Sequence, residues 1–513
     1  MRGLCALLVA LVGVGCAARS NTVEVAVLGA RAEDLVRQGC YDCLREAREI
    51  YASVPSASGA VVAMRRVEVE LLLALREKEL AIDAAETLAR ARVAAAGIPG
   101  ADVARYIALV EAIPPDRVGT PSGRRPLSPV LARRDDLQPA LAAVATSPFS
   151  PLFRAYLEAA LECGQSPPGP DRAAMRAPER PDPPPSVDAP LLVYRNAVCD
   201  PIDTASLERV RAAVPRFVET SLFMGRAAIA TLFDSDGAAV RELFEDAYTR
   251  FAHSPAVTFH LATVTQATGD CRSGERYFTE TLAIHADHEE ARLGRVICRT
   301  YLSNADGAIE DATTLIHAAA FNRGDAYYWR AWNRRAQKQL DRARADIDEA
   351  RALRYNARVL TLAGMIEHDQ GEFAAARNDL ERASELDATE CQARWYLGLV
   401  GYATEEWSES AAGFAEAADC YERLIAGTER RREEMAKRDN ISEEFRQRQI
   451  AGFDAAIAED STQRSAADLN AAINYARAGD IGRATTYMKR AWVDPARRSV
   501  IEDLRQVLGV PRW

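Results

Sequence analysis

Small and apolar residues recur with a fixed period over most of the second half of the chain. A small or short apolar residue returns every 33 to 35 positions, and a second follows 12 positions after each one. Apolar residues lie four and seven positions further on in most copies. In the five central copies the first position is Ala262, Val296, Ala331, Gly364 or Gly398, and the second is Gly274, Ala308, Ala343, Ala376 or Ser410.

This spacing predicts pairs of helices that cross closely. Two helices approach each other only where the facing side chains are small, and bulkier apolar groups fill the space beside the crossing. Gly269-Asp270, Gly371-Glu372 and Gly479-Asp480 fall where the chain must turn between two such helices. Because one hairpin cannot bury its apolar face alone, consecutive hairpins are expected to stack. The predicted fold class is therefore all-α.

The period and pattern resemble the tetratricopeptide repeat (TPR). Leu397-Gly398 is the best match to its consensus, followed by Gly364 with Ala376, Leu380 and Ala383. The proline that customarily closes each unit is replaced, at Ala286, Tyr355 and Ala388. The resemblance covers roughly residues 220–424 and 465–495, with a degenerate copy near 32–52. It implies a TPR-type helical-hairpin solenoid and a non-catalytic scaffold that binds a protein or peptide in its concave groove.

A set of large side chains on the first helices lies off the small-residue face. The resemblance implies that they line the groove, and that one arginine among them is available for a carboxylate of the partner. The alternative is that several of these side chains are buried between neighbouring repeats or under a terminal helix. The groove residues predicted in this way are Phe259, Tyr301, Tyr328, Trp332, Arg335, His368, Trp395 and Tyr402.

Proline and charge clusters predict the domain organisation. The densest proline cluster suggests a linker between a smaller N-terminal helical domain and the repeats. A charged stretch after residue 425 keeps helical apolar spacing, which favours a helical excursion with a solvated face over a dedicated docking helix. The predicted segments are a signal peptide (1–16), an N-terminal helical domain (17–165), the linker (166–190), the solenoid (191–425), the excursion (426–464), and a C-terminal unit with a capping helix (465–513).

The first sixteen residues have the features of an export signal. A basic residue, Arg2, precedes the apolar run 4–12, and Gly15 precedes Cys16. This resembles a bacterial lipoprotein signal, which implies that Cys16 is lipidated and that the protein is held at a membrane of the bacterial cell envelope. Ala17 after the cysteine implies the outer membrane, facing the periplasm. Ordinary cleavage after Ala18, giving a secreted protein, and a retained apolar anchor stay open.

The cysteines outside the signal are even in number, which permits disulfides in an exported protein. Three pairs are candidates: Cys40 with Cys43, Cys391 with Cys420 at one end of a hairpin, and Cys163 with Cys199 across the linker. Cys40 and Cys43 form a CxxC at a helix start, where a thiolate is stabilised. An exported thiol-redox protein is therefore the alternative function, and an accessory subunit that presents substrate to an envelope enzyme is a third.

Charge and motif content exclude several function classes. The formal net charge is −10 and no basic stripe occurs, which argues against a nucleic-acid partner. Motifs for zinc hydrolysis, phosphate cradling, acyl transfer and dinucleotide binding are missing, so no enzyme activity or cofactor is predicted. His285 and His288 lie near acidic residues at the junction between two sequence repeats. We expect a solvated loop there rather than a metal site.

Overall fold

The computed structural model describes residues 26–55, 59–96, 98, 103–113, 115, 134–145, 147–162, 189–198, 202–229, 237–318, 320–439 and 443–511. Every regular element within these ranges is a helix, and none is a strand, which confirms the predicted all-α fold. The chain divides into two compact units, unit 1 (residues 1–291) and unit 2 (residues 292–513). The export signal with Cys16, the cysteines Cys163 and Cys199, and nearly all of the predicted linker lie outside the described residues.

The described residues of unit 1 form thirteen helices before the start of α14 (Glu289–Tyr301). Neighbouring helices pack as hairpins, as in α3 with α4 and α12 with α13. The helices are α1 (26–38), α2 (Tyr41–Ser53), α3 (Ala60–Glu79), α4 (Ala85–Ala95), α5 (Val103–Ala112), α6 (Arg134–Ala145), α7 (Pro151–Glu162), α8 (Pro190–Ala197), α9 (Thr204–Ala213), α10 (Glu219–Ile229), α11 (Gly237–Phe251), α12 (Pro255–Ala267) and α13 (Cys271–Ile284).

A fully buried network of charges lies at the centre of unit 1. The guanidinium of Arg76 donates to Glu79 Oε2 at 2.6 Å and to Glu219 Oε1 at 2.5 Å. Arg195 Nη1 donates to Glu79 Oε1 at 2.7 Å, and the Tyr156 hydroxyl donates to the same oxygen at 2.8 Å. All five residues are at most 1% exposed. Two positive and two negative groups therefore compensate one another away from water. Arg76, Glu79, Arg195 and Glu219 are called the central ion network below.

This network joins helices from both sides of the predicted linker. Tyr156 lies on α7, before residues 163–188, and Arg195 lies on α8, after them. Both donate to Glu79 on α3. The two compact units divide elsewhere, at residues 291/292, within the helix that follows α13.

Unit 2 consists of successive helix hairpins. The first helices of its central hairpins are α14 (Glu289–Tyr301, which begins in unit 1), α16 (Arg323–Ala336), α18 (Ala357–Gln370) and α20 (Cys391–Ala403). Their second helices are α15 (Ala305–His317), α17 (Leu340–Leu353), α19 (Phe373–Leu386) and α21 (Trp407–Ala436). The chain continues with α22 (Glu443–Arg477), α23 (Ile481–Ala491), a 3₁₀ turn (Pro495–Arg497) and α24 (Arg498–Val507).

The predicted small-residue positions lie where the helices cross. Ala331, Ala343 and Ala376 have no exposed surface. A Cβ added at Gly364 would lie 2.5 Å from Leu380 Cγ, and one added at Gly398 would lie 2.8 Å from the Phe414 ring. Such distances are far below van der Waals contact, so these crossings leave no room for a larger side chain.

One backbone conformation recurs at the end of the first helices. Gly269 and Gly371 have φ angles of 85° and 82°. Ser303, Lys338 and Glu405 occupy the corresponding turns with φ of 60°, 61° and 62°. The left-handed conformation is required by the turn in each copy, although only some copies supply the glycine that adopts it without strain.

The last two long helices run through the predicted segment boundaries. Helix α21 has 30 residues and α22 has 35, and they pack against each other. Positions 425/426 and 464/465 lie inside these helices, because neither sequence contains a proline that would end the helix. Among the described helices, none combines the length and the apolar content that crossing a membrane requires.

Candidate functional site

The first helices of unit 2 form a pocket of about 400 Å³. Residues of α14, α16 and α18 and the start of α20 line it. Four of its eleven lining residues are aromatic, Tyr301, Tyr328, Trp329 and Trp332, and this set defines the aromatic pocket. A volume of this size, lined by both apolar and polar groups, is typical of a ligand site.

Helix α16 supplies three of the four rings. Tyr328 and Trp332 are four residues apart and therefore lie on one side of the helix. Tyr328 is 7% exposed and belongs to the same buried cluster as Trp329 and Ala331. Trp329 meets Tyr328 edge-on, with ring centroids 5.3 Å apart, and lies 6.5 Å from Trp332. Tyr301 of α14 meets Trp329 at 6.3 Å. Tyr301 is 70% exposed, so one wall of the pocket is open to solvent.

Charged and polar groups complete the lining. The guanidinium carbon of Arg358 lies 4.5 Å from the Tyr328 ring centroid and 4.9 Å from that of Trp329. Burial raises the pKa of the Tyr328 hydroxyl, and Arg358 partly opposes the shift. Glu390, the residue before α20, is half-buried, and this burial, followed by the charge of Asp387, raises the pKa of its carboxyl. The pocket therefore presents rings, one cation and one carboxyl to a ligand.

Arg335 and His368 form a separate polar cluster and do not line the aromatic pocket. Arg335 Nε lies 2.9 Å from Asp369 Oδ2, and Arg335 Nη2 donates to the Tyr396 hydroxyl at 2.8 Å. The His368 ring lies edge-on to Tyr396, with centroids 5.7 Å apart. Arg335 is thus already paired with a carboxylate of its own chain, which conflicts with the expectation that it is available for a partner.

Trp395 and Tyr402 also lie away from the pocket. Trp395 meets the Phe414 ring at 5.2 Å and packs against alanines of α21 and α22, so it belongs largely to the interior of the hairpin stack. Tyr402 is 45% exposed, and its ring contacts Trp407 at 5.7 Å and the Arg477 guanidinium at 5.0 Å.

Phe259 lies in unit 1 and is buried, with 7% of its surface exposed. Its ring stacks on His288 at 4.5 Å and meets His260 edge-on at 5.4 Å. His288 is itself only 3% exposed, so the expectation of a solvated loop is wrong for this residue. In the described part of the chain, no group of three or more His, Cys, Asp or Glu side chains is placed to hold a metal ion.

The structure brings together three of the eight predicted groove residues, Tyr301, Tyr328 and Trp332. Sequence reasoning missed Trp329, Arg358 and Glu390. Trp329 directly follows a predicted residue, and its aromatic character is the one signal that marks it. The two charged residues gave no signal, because a charged residue on a helix surface normally faces solvent.

Two cysteine pairs form disulfides in the structure. Cys40 and Cys43 are joined at the start of α2, with Cα atoms 4.9 Å apart, and both side chains are fully buried. Cys391 and Cys420 are joined across α20 and α21, with Cα atoms 5.5 Å apart. Thiol-disulfide exchange needs a sulfur that an attacking thiolate can reach. The burial of Cys40 and Cys43 therefore argues against the thiol-redox alternative.

Comparisons with known proteins concern the fold alone. No protein-family model matches the chain, and no curated protein matches it in sequence. A chain in the crystal structure of the APC/C hetero-tetramer Cut9-Hcn1 is 11% identical in sequence to this protein. The match covers 94% of this chain and 96% of that chain, with a TM-score of 0.40. A tetratricopeptide repeat protein from Parabacteroides merdae is 12% identical, with 51% and 92% covered and a TM-score of 0.36. YrrB, described as a TPR protein with an unusual peptide-binding site, is 13% identical, with 52% and 99% covered and a TM-score of 0.25.

Proposed function

We propose that the protein is a non-catalytic TPR-type scaffold that binds a peptide segment of a partner protein on the first helices of unit 2. The observation that carries this proposal is the aromatic pocket, in which four rings, among them the exposed Tyr301, line a volume of about 400 Å³. Aromatic side chains dominate the binding energy of many protein interfaces. The hairpin fold supports the proposal, because stacked hairpins leave one face of the first helices for binding.

Capture of the partner by purified variants tests this proposal. Replacing Tyr301 and Trp332 with Ala removes two walls of the pocket, and we expect at least a ~10-fold loss of partner capture from extracts of the native host. Phe321→Ala is the matched control, because Phe321 is 92% exposed and does not line the pocket. Far-ultraviolet circular dichroism checks that each variant keeps its helix content. Equal capture by the double variant and the wild type would refute the proposal.

We also propose that the protein is anchored in the bacterial cell envelope through a lipid on Cys16. The support is the sequence alone, in which a basic residue and an apolar run precede Gly15 and Cys16. Growth of the native host with radiolabelled palmitate tests the anchor. Label in the wild type and none in Cys16→Ser would agree with lipidation, whereas an unlabelled wild-type protein would exclude it.

A further inference from the structure

The rings of the aromatic pocket already hold a cation that belongs to the chain itself. The Arg358 guanidinium lies within 5 Å of two ring centroids, inside the ~6 Å range of a cation–π contact. The Arg358 side chain is exposed. No carboxylate of the described residues lies within 4 Å of its guanidinium nitrogens. Leaving the rings would therefore break the interaction of Arg358 with the Tyr328 side chain, but no ion pair.

A carboxylate without an ion pair lines the same pocket. Glu390 is half-buried, and in the described ranges no Lys or Arg nitrogen comes within 4 Å of its carboxyl oxygens. Thr361 hydrogen-bonds the carboxyl, and the charge of Arg358 acts on it from a greater distance. The rings of Tyr301 and Trp332 line the same pocket. Aromatic faces together with one carboxylate favour a cation over a neutral or acidic group. The net charge of −10 also steers a basic partner toward the protein.

We infer that the aromatic pocket binds a guanidinium or ammonium side chain of a basic peptide segment, and that Arg358 is an internal competitor for it. Binding moves Arg358 off Tyr328 and Trp329, and Glu390 then pairs with the incoming cation. This inference rests on the proposed function, because it names the chemistry of the partner at the same site.

Titration with short peptides tests the inference. Three blocked nine-residue Gly-Ser peptides differ only at the central position, which is Arg, Leu or Glu, and tryptophan fluorescence reports binding at Trp329 and Trp332. We expect the wild type to bind the Arg peptide roughly 3- to 10-fold more tightly than the Leu peptide, and the Glu peptide least. The preference for the Arg peptide should decrease as salt is added.

Two single variants move this preference in opposite directions. Glu390→Gln should weaken binding of the Arg peptide several-fold and leave the Leu peptide nearly unchanged. Arg358→Gln should strengthen binding of the Arg peptide, because the internal competitor and its repulsion are both removed. Glu349→Gln and Arg342→Gln on α17 are matched charge controls, since both residues are exposed and outside the pocket lining. Neither control should change the preference.

Three results would overturn the inference: tighter binding of the Glu peptide, equal binding of all three peptides, or weaker binding of the Arg peptide by Arg358→Gln. Partner capture separates this failure from failure of the proposed function. If the double variant of Tyr301 and Trp332 loses the native partner while the peptides show no preference for Arg, the face binds a partner and only the cation assignment fails. If that variant keeps the partner, the proposed function fails as well.

Discussion

The centres of the two units are stabilised by different kinds of contact. In unit 1 the central ion network is at most 1% exposed and joins three helices, α3, α8 and α10. In unit 2 the helix crossings bury alanine and glycine, and the arginine–aspartate pairs lie nearer the surface. Arg330 and Arg334, for example, hold Asp346 at 2.7 and 2.6 Å while their side chains stay 11% and 18% exposed. Unit 2 thus buries small residues at its helix crossings, whereas unit 1 additionally buries four charged residues at its centre.

The largest expected effect is the loss of a charge from the central ion network. Glu79→Gln leaves Arg76 and Arg195 buried without their shared carboxylate, and we expect unit 1 to lose about 3–5 kcal/mol of unfolding free energy. Asp348→Asn in unit 2 is the control, because Asp348 pairs with Arg344 at the surface and is 52% exposed. This change should cost less than about 1 kcal/mol. Denaturant unfolding measures both, and similar costs would contradict the contrast between the units.

The two disulfides should contribute different amounts to the free energy of unfolding. The disulfide that closes the longer loop should contribute more. Cys391 and Cys420 are 29 residues apart, so replacing both with Ser should cost roughly 2–4 kcal/mol through the entropy of the unfolded chain. Cys40 and Cys43 are three residues apart and close a much shorter loop, so the same replacement should cost less. Unfolding of the two double-Ser variants in urea measures this difference. A larger loss of unfolding free energy in the Cys40/Cys43 variant would show that loop length does not determine how much each disulfide stabilises the protein.

One buried group in each unit should give a pH response of opposite sign. Burial, followed by Arg226 and His288, lowers the pKa of His260 in unit 1 well below 6.5. The neutral His260 side chain therefore contributes to the stability of unit 1 above about pH 6.5, and this contribution is lost as the pH falls. Burial, followed by Asp379, raises the pKa of Glu367 in unit 2 to about 7. That contribution is complete below pH 4.5 and is lost as the pH rises through 7.

Hydrogen exchange followed by mass spectrometry reads each unit separately. One titrating group changes the unfolding free energy by at most about 1.4 kcal/mol per pH unit. His260→Phe should flatten the acid loss of protection in unit 1, and Glu367→Gln should flatten the opposite slope in unit 2. Unchanged slopes in both variants would mean that other groups govern the pH response.

The smallest expected effect concerns the turns that lack glycine. Lys338 holds a left-handed backbone with φ of 61°, which costs a residue with a Cβ roughly 1 kcal/mol relative to glycine. Lys338→Gly should therefore stabilise unit 2 by up to about 1 kcal/mol. Gly371→Ala, at the corresponding turn of the next hairpin, should destabilise it by a similar amount. Thermal unfolding measures the stability of both variants. A Lys338→Gly variant that is less stable than the wild type would contradict the claim that the backbone is strained at this turn.

The regular part of the fold could be predicted because its signal lies within one period. Gly364 and Ala376 are 12 residues apart, and their small size alone indicates a crossing. The central ion network could not be predicted, since Arg76 and Glu219 are 143 residues apart and each is typical of a solvated helix surface. Arg76 and Glu219 come together only through packing between helices distant in sequence.

The candidate site was predicted in part for the same reason. Tyr328 and Trp332 share a helix side, so their proximity follows from helix geometry. The burial of Trp395 depends on Ala417 and Ala467, which lie on the two long helices that follow α20. Arg358 and Glu390 line one pocket only because α18 and the start of α20 lie side by side in the stack.

Photocrosslinking in the native host tests the central claim most directly. A photoreactive phenylalanine analogue at position 301, in the aromatic pocket, should give a discrete adduct with one partner protein, and Trp332→Ala should abolish it. The same analogue at position 321, which is exposed and outside the pocket, should give no such adduct. An adduct from position 321 with none from position 301, or a position-301 adduct that persists in Trp332→Ala, would contradict binding in the aromatic pocket.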